Sequence, residues 1–142
     1  MMKYCKPKLT DNGSLINVSV MSNALFNTKL VGILQININS DHALLTHFSV
    51  HPDYRRIGVG KSMMMKLVEY LQQQNFIHPI LVYPCPSYDL PLDESENEPP
   101  IMLVSELYQA YFHLGFYPKN SSIAELNTNK SNHPLYYQMS SP

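Results

Sequence analysis

The segment that most constrains this chain is the basic, glycine-containing stretch YRRIGVGKSMMMKL, which runs from Tyr54 to Leu67. A strand-like apolar pattern precedes it, and apolar residues at helical spacing follow it. Glycines let a backbone approach phosphate oxygens closely, and a helix N-terminus presents N–H groups and a positive dipole end to an anion. The stretch therefore predicts a strand–loop–helix unit that binds phosphate, in an α/β fold.

Two kinds of phosphate loop match parts of this stretch. Gly60-Lys61-Ser62 matches the end of a nucleoside-triphosphate loop, G-x-x-x-x-G-K-S/T. The first glycine of that loop would fall at position 55, where the chain has Arg55, and neither flanking strand ends in an aspartate for Mg²⁺. The stretch from Arg55 to Gly60 instead matches Q/R-x-x-G-x-G/A, which favours a pyrophosphate loop.

Length, charge and cysteine content bound the class of protein. A chain of 142 residues has the usual size of one domain, so residues 1–142 are expected to form a single domain. Ten basic and 11 acidic residues give a net charge of −1, which provides no general reason to bind nucleic acid or an anionic membrane. Cys5 and Cys85 lie far apart, and no segment has the apolar run of a signal peptide or membrane span. We expect a soluble, cytoplasmic protein with free thiols.

Three histidines, at His42, His47 and His51, raise the question of a metal site. Side chains alternate along a strand, so His47 and His51 share a face that His42 does not. No Cys, Asp or Glu completes a set at ligand spacing. The sequence therefore predicts no metal.

Hydrophobic periodicity predicts several strands and two helices. The turn at residues 39–41 is short, so the strands on either side of it are expected to form an antiparallel hairpin. Gly115 is expected to cap the second helix. The predicted strands span 14–23, 29–38, 42–50 and 79–84, with a final pair within GFYPKNSS and HPLYYQM; the predicted helices span about 58–74 and 102–114. The predicted buried positions are Met64, Leu67, Val68 and Leu71 in the first helix, and Leu107, Ala110, Tyr111 and Leu114 in the second.

Two segments together resemble motifs of the GNAT superfamily of acyl-CoA-dependent N-acyltransferases. FSVHPDYRRIGVGKSMM resembles motif A, the acyl-CoA pyrophosphate site, and LYQAYFHLGFY resembles motif B. The resemblance covers residues 30–116 and, loosely, the closing strands. It implies a GNAT-like α/β fold: a mixed, mostly antiparallel sheet flanked by helices. The N-terminal region is short, because only about forty residues precede the motif A strand.

The resemblance also implies a donor and the residues that bind it. The donor is acetyl-CoA or a related acyl-CoA, a co-substrate that needs no metal. Arg55 holds the first position of the pyrophosphate loop. The strand positions that match the pantetheine-binding segment are Phe48, Ser49 and Val50, and the loop positions are Arg56, Ile57, Gly58, Val59, Gly60 and Lys61.

Tyr111 matches the tyrosine that, in this family, often protonates the departing CoA thiolate. The family's usual base, a glutamate on the motif A strand, has no counterpart, since residues 43–47 and 79–83 include no acid. His47 is the candidate base, because histidine changes charge near neutral pH, and His78 is a weaker one. A chain of waters or the acceptor's own deprotonation is the alternative.

The implied activity is an N-acetyltransferase in which a primary amine attacks the thioester directly. The acceptor is left open between a polyamine-like molecule, an amino sugar and a protein amine. A second copy of the chain, in a homodimer, is one way to complete the cleft. The alternative function is a CoA-binding sensor or interaction domain, since the acidic base is missing. The proline-rich loop at 85–100 is expected either to attract a cationic acceptor or to be a solvated surface loop; its acids are Asp89, Asp93, Glu94, Glu96 and Glu98.

Overall fold

The computed structural model describes residues 3–86, 90, 102–119 and 133–139, and its strands form one sheet in chain order. The fourth and fifth strands run parallel, and every other neighbouring pair is antiparallel. This is the mixed, mostly antiparallel sheet that the sequence predicts. The elements are β1 (Lys8–Asn12), β2 (Leu15–Met21), β3 (Leu30–Ile38), β4 (Ala43–Val50), a 3-10 turn (Pro52–Tyr54), α1 (Val59–Gln73), β5 (Ile80–Val82), α2 (Val104–His113) and β6 (Leu135–Tyr137).

Strand β1 is an element that the sequence patterns did not indicate. Four of its five residues are exposed, so it lacks the apolar alternation that marks a strand. It joins β2 through a turn in which Gly13 has a φ of +84° and donates its N–H to Asp11 Oδ1 at 2.9 Å. This tight hairpin leaves no helix between β1 and β2, so the N-terminal region is short, as predicted.

Strands β2, β3 and β4 form an antiparallel meander, which confirms the predicted hairpin. A bulge interrupts the pairing of β3 with β4. Gln35 lies opposite His47 while Ile36 lies opposite Leu45, so Thr46 is the extra residue. Such an insertion locally strengthens the twist of a strand and bends it. The bulge therefore separates the part of β4 that precedes Thr46 from the part that follows it.

Helix α1 covers one face of the meander. Three of its four predicted core residues, Met64, Leu67 and Leu71, are buried, while Val68 is only half-buried; Met63 is fully buried as well. Each such side chain contributes roughly 1.5–3 kcal/mol when fully buried. At the C-terminal end of the helix, the Tyr70 hydroxyl donates to Asp11 Oδ2, which ties the β1–β2 hairpin to α1.

Helix α2 confirms its predicted buried face only in part, since Tyr111 is buried as predicted while Leu107 and Leu114 pack at the margin of the core. Tyr108, Tyr111 and Phe112 are buried, and the predicted Leu107, Ala110 and Leu114 are only half-buried. Apolar residues occur on both sides of this helix, so spacing alone did not single out the packed side. The choice is made by an aromatic cluster, in which Phe116 lies 5.4 Å from Tyr111 and 5.7 Å from Tyr137 between ring centroids.

The end of α2 leads into the last strands. Gly115 follows the helix with a φ of +101°, which confirms it as the capping glycine. Burial raises the pKa of Tyr108, whose hydroxyl donates to His133 O at 2.8 Å and so fixes α2 to the start of β6. In the predicted final pair, β6 forms; the described part of the first member, residues 115–119, contributes a bridge between Tyr117 and Tyr136.

Both helices pack on the same face of the sheet. Gly32 pairs with Val50, two positions from Phe48, so these residues share a face. A Cβ on Gly32 would lie 2.8 Å from Val59 of α1, and the Phe48 ring contacts Tyr111 of α2. No helix among the described residues covers the opposite face, and none of them is long and apolar enough to cross a membrane.

Candidate active site

A gap opens between β4 and β5. Their parallel pairing comprises only Ala43 with Ile80 and Leu44 with Leu81. Strand β4 then continues to Val50, paired with β3 alone among the described strands. The backbone of β4 beyond the bulge therefore turns one edge into a cleft, and this stretch includes the predicted donor-binding residues Phe48, Ser49 and Val50.

The loop after β4 has the backbone conformation of an anion nest. Arg55 is extended, Arg56 has a φ of +63° and Gly58 a φ of +98°, just before α1 begins at Val59. Left-handed residues alternating with others turn successive N–H groups toward one concave side, the arrangement called a nest. A left-handed arginine is strained, and such strain clusters at functional sites. The nest and the N-terminus of α1 lie side by side, and both are backbone arrangements that suit an anion.

The basic side chains of the loop differ in their hydrogen bonds and in their exposure to solvent. Arg55 Nε donates to Val50 O at 3.0 Å, so this side chain closes the end of β4. Arg56 and Lys61 are exposed beside the nest. His51 is 6% exposed; its Nδ1 accepts from Asp53 N at 3.1 Å and thereby orders the 3-10 turn that leads into the loop. Three basic residues, Arg55, Arg56 and Lys61, were predicted to bind the donor. Of these, Arg55 also stabilises the end of β4 through its hydrogen bond to Val50 O.

Gly60 seats the first turn of α1 on Phe48. A Cβ at Gly60 would lie 3.2 Å from Phe48 Cζ, which is closer than ordinary packing allows. The same ring lies 5.8 Å from that of Tyr111. Phe48 therefore uses its side chain to join the loop, β4 and α2, and its backbone to line the cleft. Ser49, 5% exposed, points to the other face.

The two predicted catalytic residues lie on opposite faces of the sheet. Tyr111 is 5% exposed and packs on the helix-covered side. His47 is exposed and lies opposite Gln35 on the other side. His78 precedes β5 at the end where β4 and β5 still pair, with its ring 5.5 Å from that of Phe76. His78 is therefore at the closed end of the cleft, away from the loop.

A cavity of about 410 Å³ adjoins the loop on the helix-covered side, between α1 and the end of α2. Its lining combines apolar side chains with one basic and one acidic residue, Lys61 nearer the loop and Glu69 two helical turns further on; the other lining residues are Met64, Met65, Val68, Gln72, His113, Leu114 and Tyr137. The acidic positions Asp89, Asp93, Glu94, Glu96 and Glu98 lie outside the described residues. Among the residues that are described, no group of three or more His, Cys, Asp and Glu side chains is arranged to hold a metal ion.

Comparison with known families decides the class to which this site belongs. The model of the acetyltransferase (GNAT) family matches residues 6–85, more than half of the chain. The chain belongs to the GNAT family. The matched segment includes the whole of β4, the nest and α1, but ends before α2 and Tyr111. No curated protein sequence matches the chain.

Solved structures of GNAT proteins share this fold. The PaiA N-acetyltransferase from Thermoplasma acidophilum, in complex with coenzyme A, has a TM-score of 0.58 at 13% identity, over 89% of this chain and 62% of its own. The ribosomal-protein-S18-alanine N-acetyltransferase from Escherichia coli has 0.55 at 15%, over 93% and 74%. Tetrahymena GCN5 has 0.57 at 12%, over 92% and 71%. At these identities the likeness establishes the fold alone, and the chain spans less than two thirds of the Thermoplasma protein.

Two features of the candidate site in this GNAT chain were not predicted from the sequence. Tyr4 contacts the phosphate loop, with its hydroxyl 3.2 Å from Ile57 O, although 53 residues separate the two and no spacing rule connects them. His51 orders the turn before the loop by accepting a hydrogen bond from Asp53 N, whereas from the sequence this residue was considered only as a possible metal ligand. Histidine is not among the residues that usually cap a helix N-terminus, so no local sequence signal indicated this role.

Proposed function

We propose that this chain transfers an acetyl group from acetyl-CoA to a primary amine by direct attack of the amine on the thioester. The observation that carries the proposal is the combination of the β4–β5 cleft with the nest at its mouth. A strand edge suits the amide groups of a pantetheine arm, and the nest suits a pyrophosphate. Both lie at the same end of β4, as one donor molecule requires.

The donor-binding roles follow from these positions. N–H groups from Arg56 to Gly60 bind the pyrophosphate, supported by the dipole of α1 and by the charges of Arg56 and Lys61. Pantetheine exchanges backbone hydrogen bonds with β4 in the segment Phe48, Ser49 and Val50. Because backbone groups alternate between the two edges of a strand and His51 N is bonded to Val31 O of β3, the groups that face the cleft are those of Phe48 and Val50. The cavity beside Lys61 has room for the nucleoside part of the donor.

The transfer has a simple balance of bonds. The amine nitrogen forms a bond to the carbonyl carbon, the carbon–sulfur bond breaks, and the thiolate takes a proton. Tyr111 supplies that proton from the helix-covered side, since a thiolate leaves more easily once its charge is neutralised. The ammonium form of the acceptor must first lose its own proton, because only the neutral amine attacks.

His47 is the candidate base, either directly or through a water. Its exposure on the helix-free face supports this role, because an acceptor reaches the cleft most freely where no described helix stands. His47 continues a row of uncharged polar side chains across neighbouring strands, Asn17 opposite Gln35 and Gln35 opposite His47. Such a row offers hydrogen bonds to an acceptor molecule but does not favour a positively charged acceptor over a neutral one. The acceptor thus remains open between a polyamine-like molecule, an amino sugar and a protein amine.

One observation favours the alternative of a CoA-binding sensor. Neither β4 nor β5, the strands that line the cleft, carries an aspartate or glutamate. If His47 and water do not replace that base, the chain would bind acetyl-CoA and turn it over poorly. The exposed cysteines Cys5 and Cys85 support the proposed cytoplasmic location in either case, since both are free thiols.

Binding and turnover tests separate these functions. The thermal midpoint is measured with acetyl-CoA and, as the control, with ATP and Mg²⁺. Thiol release from acetyl-CoA is then followed with spermidine, glucosamine and a lysine-containing peptide. Stabilisation by acetyl-CoA together with amine-dependent release supports the proposal. Tight binding without release on any amine favours the sensor, and stabilisation by ATP alone overturns both.

A further inference from the structure

The N-terminal segment before β1 reaches the phosphate loop. Its backbone is fixed beside the end of β2, where Cys5 N donates to Met21 O at 2.9 Å and Asn23 N donates to Lys3 O at 3.0 Å. Tyr4 lies between these bonds and forms a bridge with Ser22. Its ring packs partly buried against the core. Tyr4 is therefore held in place independently of the loop that it contacts.

The Tyr4 hydroxyl contacts the loop at Ile57 and Gly58, in the middle of the nest. It donates to Ile57 O at 3.2 Å, and a Cβ added to Gly58 would lie 3.2 Å from the same hydroxyl oxygen. Ile57 stands between the two left-handed residues of the nest, Arg56 and Gly58. The hydrogen bond thus acts on the peptide group that joins Ile57 to Gly58.

The orientation of this peptide group decides what the nest presents to an anion. In a trans peptide the C=O and N–H point in opposite directions, so a carbonyl of Ile57 held toward Tyr4 turns the N–H of Gly58 away from Tyr4. Glycine tolerates both signs of φ, so without a restraint this peptide can rotate and bring the carbonyl round to the phosphate side. A carbonyl there would repel the anion that the N–H attracts.

We propose that Tyr4 is a positioning residue for the donor pyrophosphate: its hydroxyl holds the Ile57–Gly58 peptide in the anion-binding orientation. The inference rests on the proposed use of acetyl-CoA. It goes beyond the family's properties, because the GNAT match begins at residue 6 and excludes Tyr4. The family segment supplies the nest, and a residue before that segment fixes its geometry.

The test uses Tyr4→Phe, which keeps the ring and removes the donor. We compare two acyl donors, acetyl-CoA and S-acetylpantetheine, which lacks the pyrophosphate. Loss of one hydrogen bond of about 1 kcal/mol corresponds to a roughly fivefold rise in the Kd and KM for acetyl-CoA. The kcat with acetyl-CoA and the kcat/KM with S-acetylpantetheine are expected to stay unchanged. Tyr117→Phe, at a half-exposed tyrosine away from the loop, is the matched control.

Each outcome decides a different question. A fivefold loss confined to acetyl-CoA supports the role of Tyr4. Equal losses with both acyl donors, or a large fall in the thermal midpoint, would show that Tyr4 only stabilises the fold. Unchanged binding of acetyl-CoA by Tyr4→Phe would overturn the inference and leave the proposed function intact. Failure of the wild-type chain to bind acetyl-CoA would overturn both.

Discussion

The ring centroids of Phe48 and Tyr111 lie 5.8 Å apart, with 60° between the ring planes. Phe48 belongs to the part of β4 that lines the cleft, and Tyr111 belongs to α2. This contact brings the candidate proton donor to the strand on which the thioester is proposed to lie. Because the contact is made by the ring, the packing of Tyr111 and the chemistry of its hydroxyl can be separated by substitution.

Tyr111→Phe tests that separation. We expect kcat to fall roughly 100-fold, the lower end of what general acid catalysis contributes, because the thiolate must then leave without a proton from the protein. The Kd for acetyl-CoA should change little, since the ring and its contacts remain. Steady-state thiol release and calorimetric titration measure the two quantities. An unchanged kcat across the pH range would remove Tyr111 from the mechanism.

His47→Gln tests the candidate base. At neutral pH we expect kcat to fall about 100-fold, since the acceptor ammonium then has no base at the cleft. The difference from wild type should narrow as the pH rises toward about 10, the pKa of a lysine-like amine, because the acceptor then loses its proton unaided. His42→Gln, in the β3–β4 turn, is the control. Parallel pH profiles for wild type and His47→Gln would assign deprotonation to another group.

Gly58→Ala and Gly13→Ala form a matched pair for the phosphate loop. Both glycines are left-handed, with φ of +98° and +84°, so the backbone strain of each alanine should cost about 1–2 kcal/mol of unfolding free energy. The two sites differ in that a Cβ at Gly58 would lie 3.2 Å from the Tyr4 hydroxyl, whereas one at Gly13 meets nothing within 4 Å. Only Gly58 belongs to the nest. We therefore expect only Gly58→Ala to weaken acetyl-CoA binding, by roughly tenfold or more. Equal Kd values for the two variants would argue against a nest-bound pyrophosphate.

Tyr70 provides a test at alkaline pH. The hydrogen bond to Asp11 raises the pKa of Tyr70 above its usual value of 10.0. The neutral phenol is thus favoured in the folded state, so its contribution to stability is complete below pH 10 and is lost as the pH rises through the raised pKa. Urea unfolding should show wild type more stable than Tyr70→Phe at pH 8, with the gap closing above pH 10. A gap that is constant over this range would contradict the assignment.

The sequence predicts the central unit of the fold well. The β3–β4 hairpin, α1 and the glycine loop depend on local signals: alternation, helical spacing and turn residues. Strand β1 was missed because its exposed residues carry no alternation, although Asn12-Gly13 is a hairpin signal in its own right. The buried side of α2 was predicted only in part: Tyr111 is buried as expected, whereas Tyr108 and Phe112 owe their burial to an aromatic cluster that only the tertiary fold assembles.

The site is predictable in outline and not in its contacts. Loop composition indicates which residues are candidates for anion binding, but it does not show that Arg55 bonds to the backbone of Val50 or that Arg56 takes a left-handed conformation. No local sequence pattern predicts the contact of Tyr4 with Ile57, because the two residues are 53 positions apart and only the folded sheet brings them together. These contacts connect residues distant in sequence, which a pattern of spacing does not encode.

The short pairing of β4 with β5 also bears on how the protein unfolds. Within the part of the chain that the structure describes, two residue pairs join the first four strands to β5 and β6 through the backbone. Parts of a protein that share few backbone hydrogen bonds tend to open as separate cooperative units. A donor molecule lying in the cleft and bonded to β4 would couple these units, so substrate would act as a missing strand and make the two halves of the sheet unfold together.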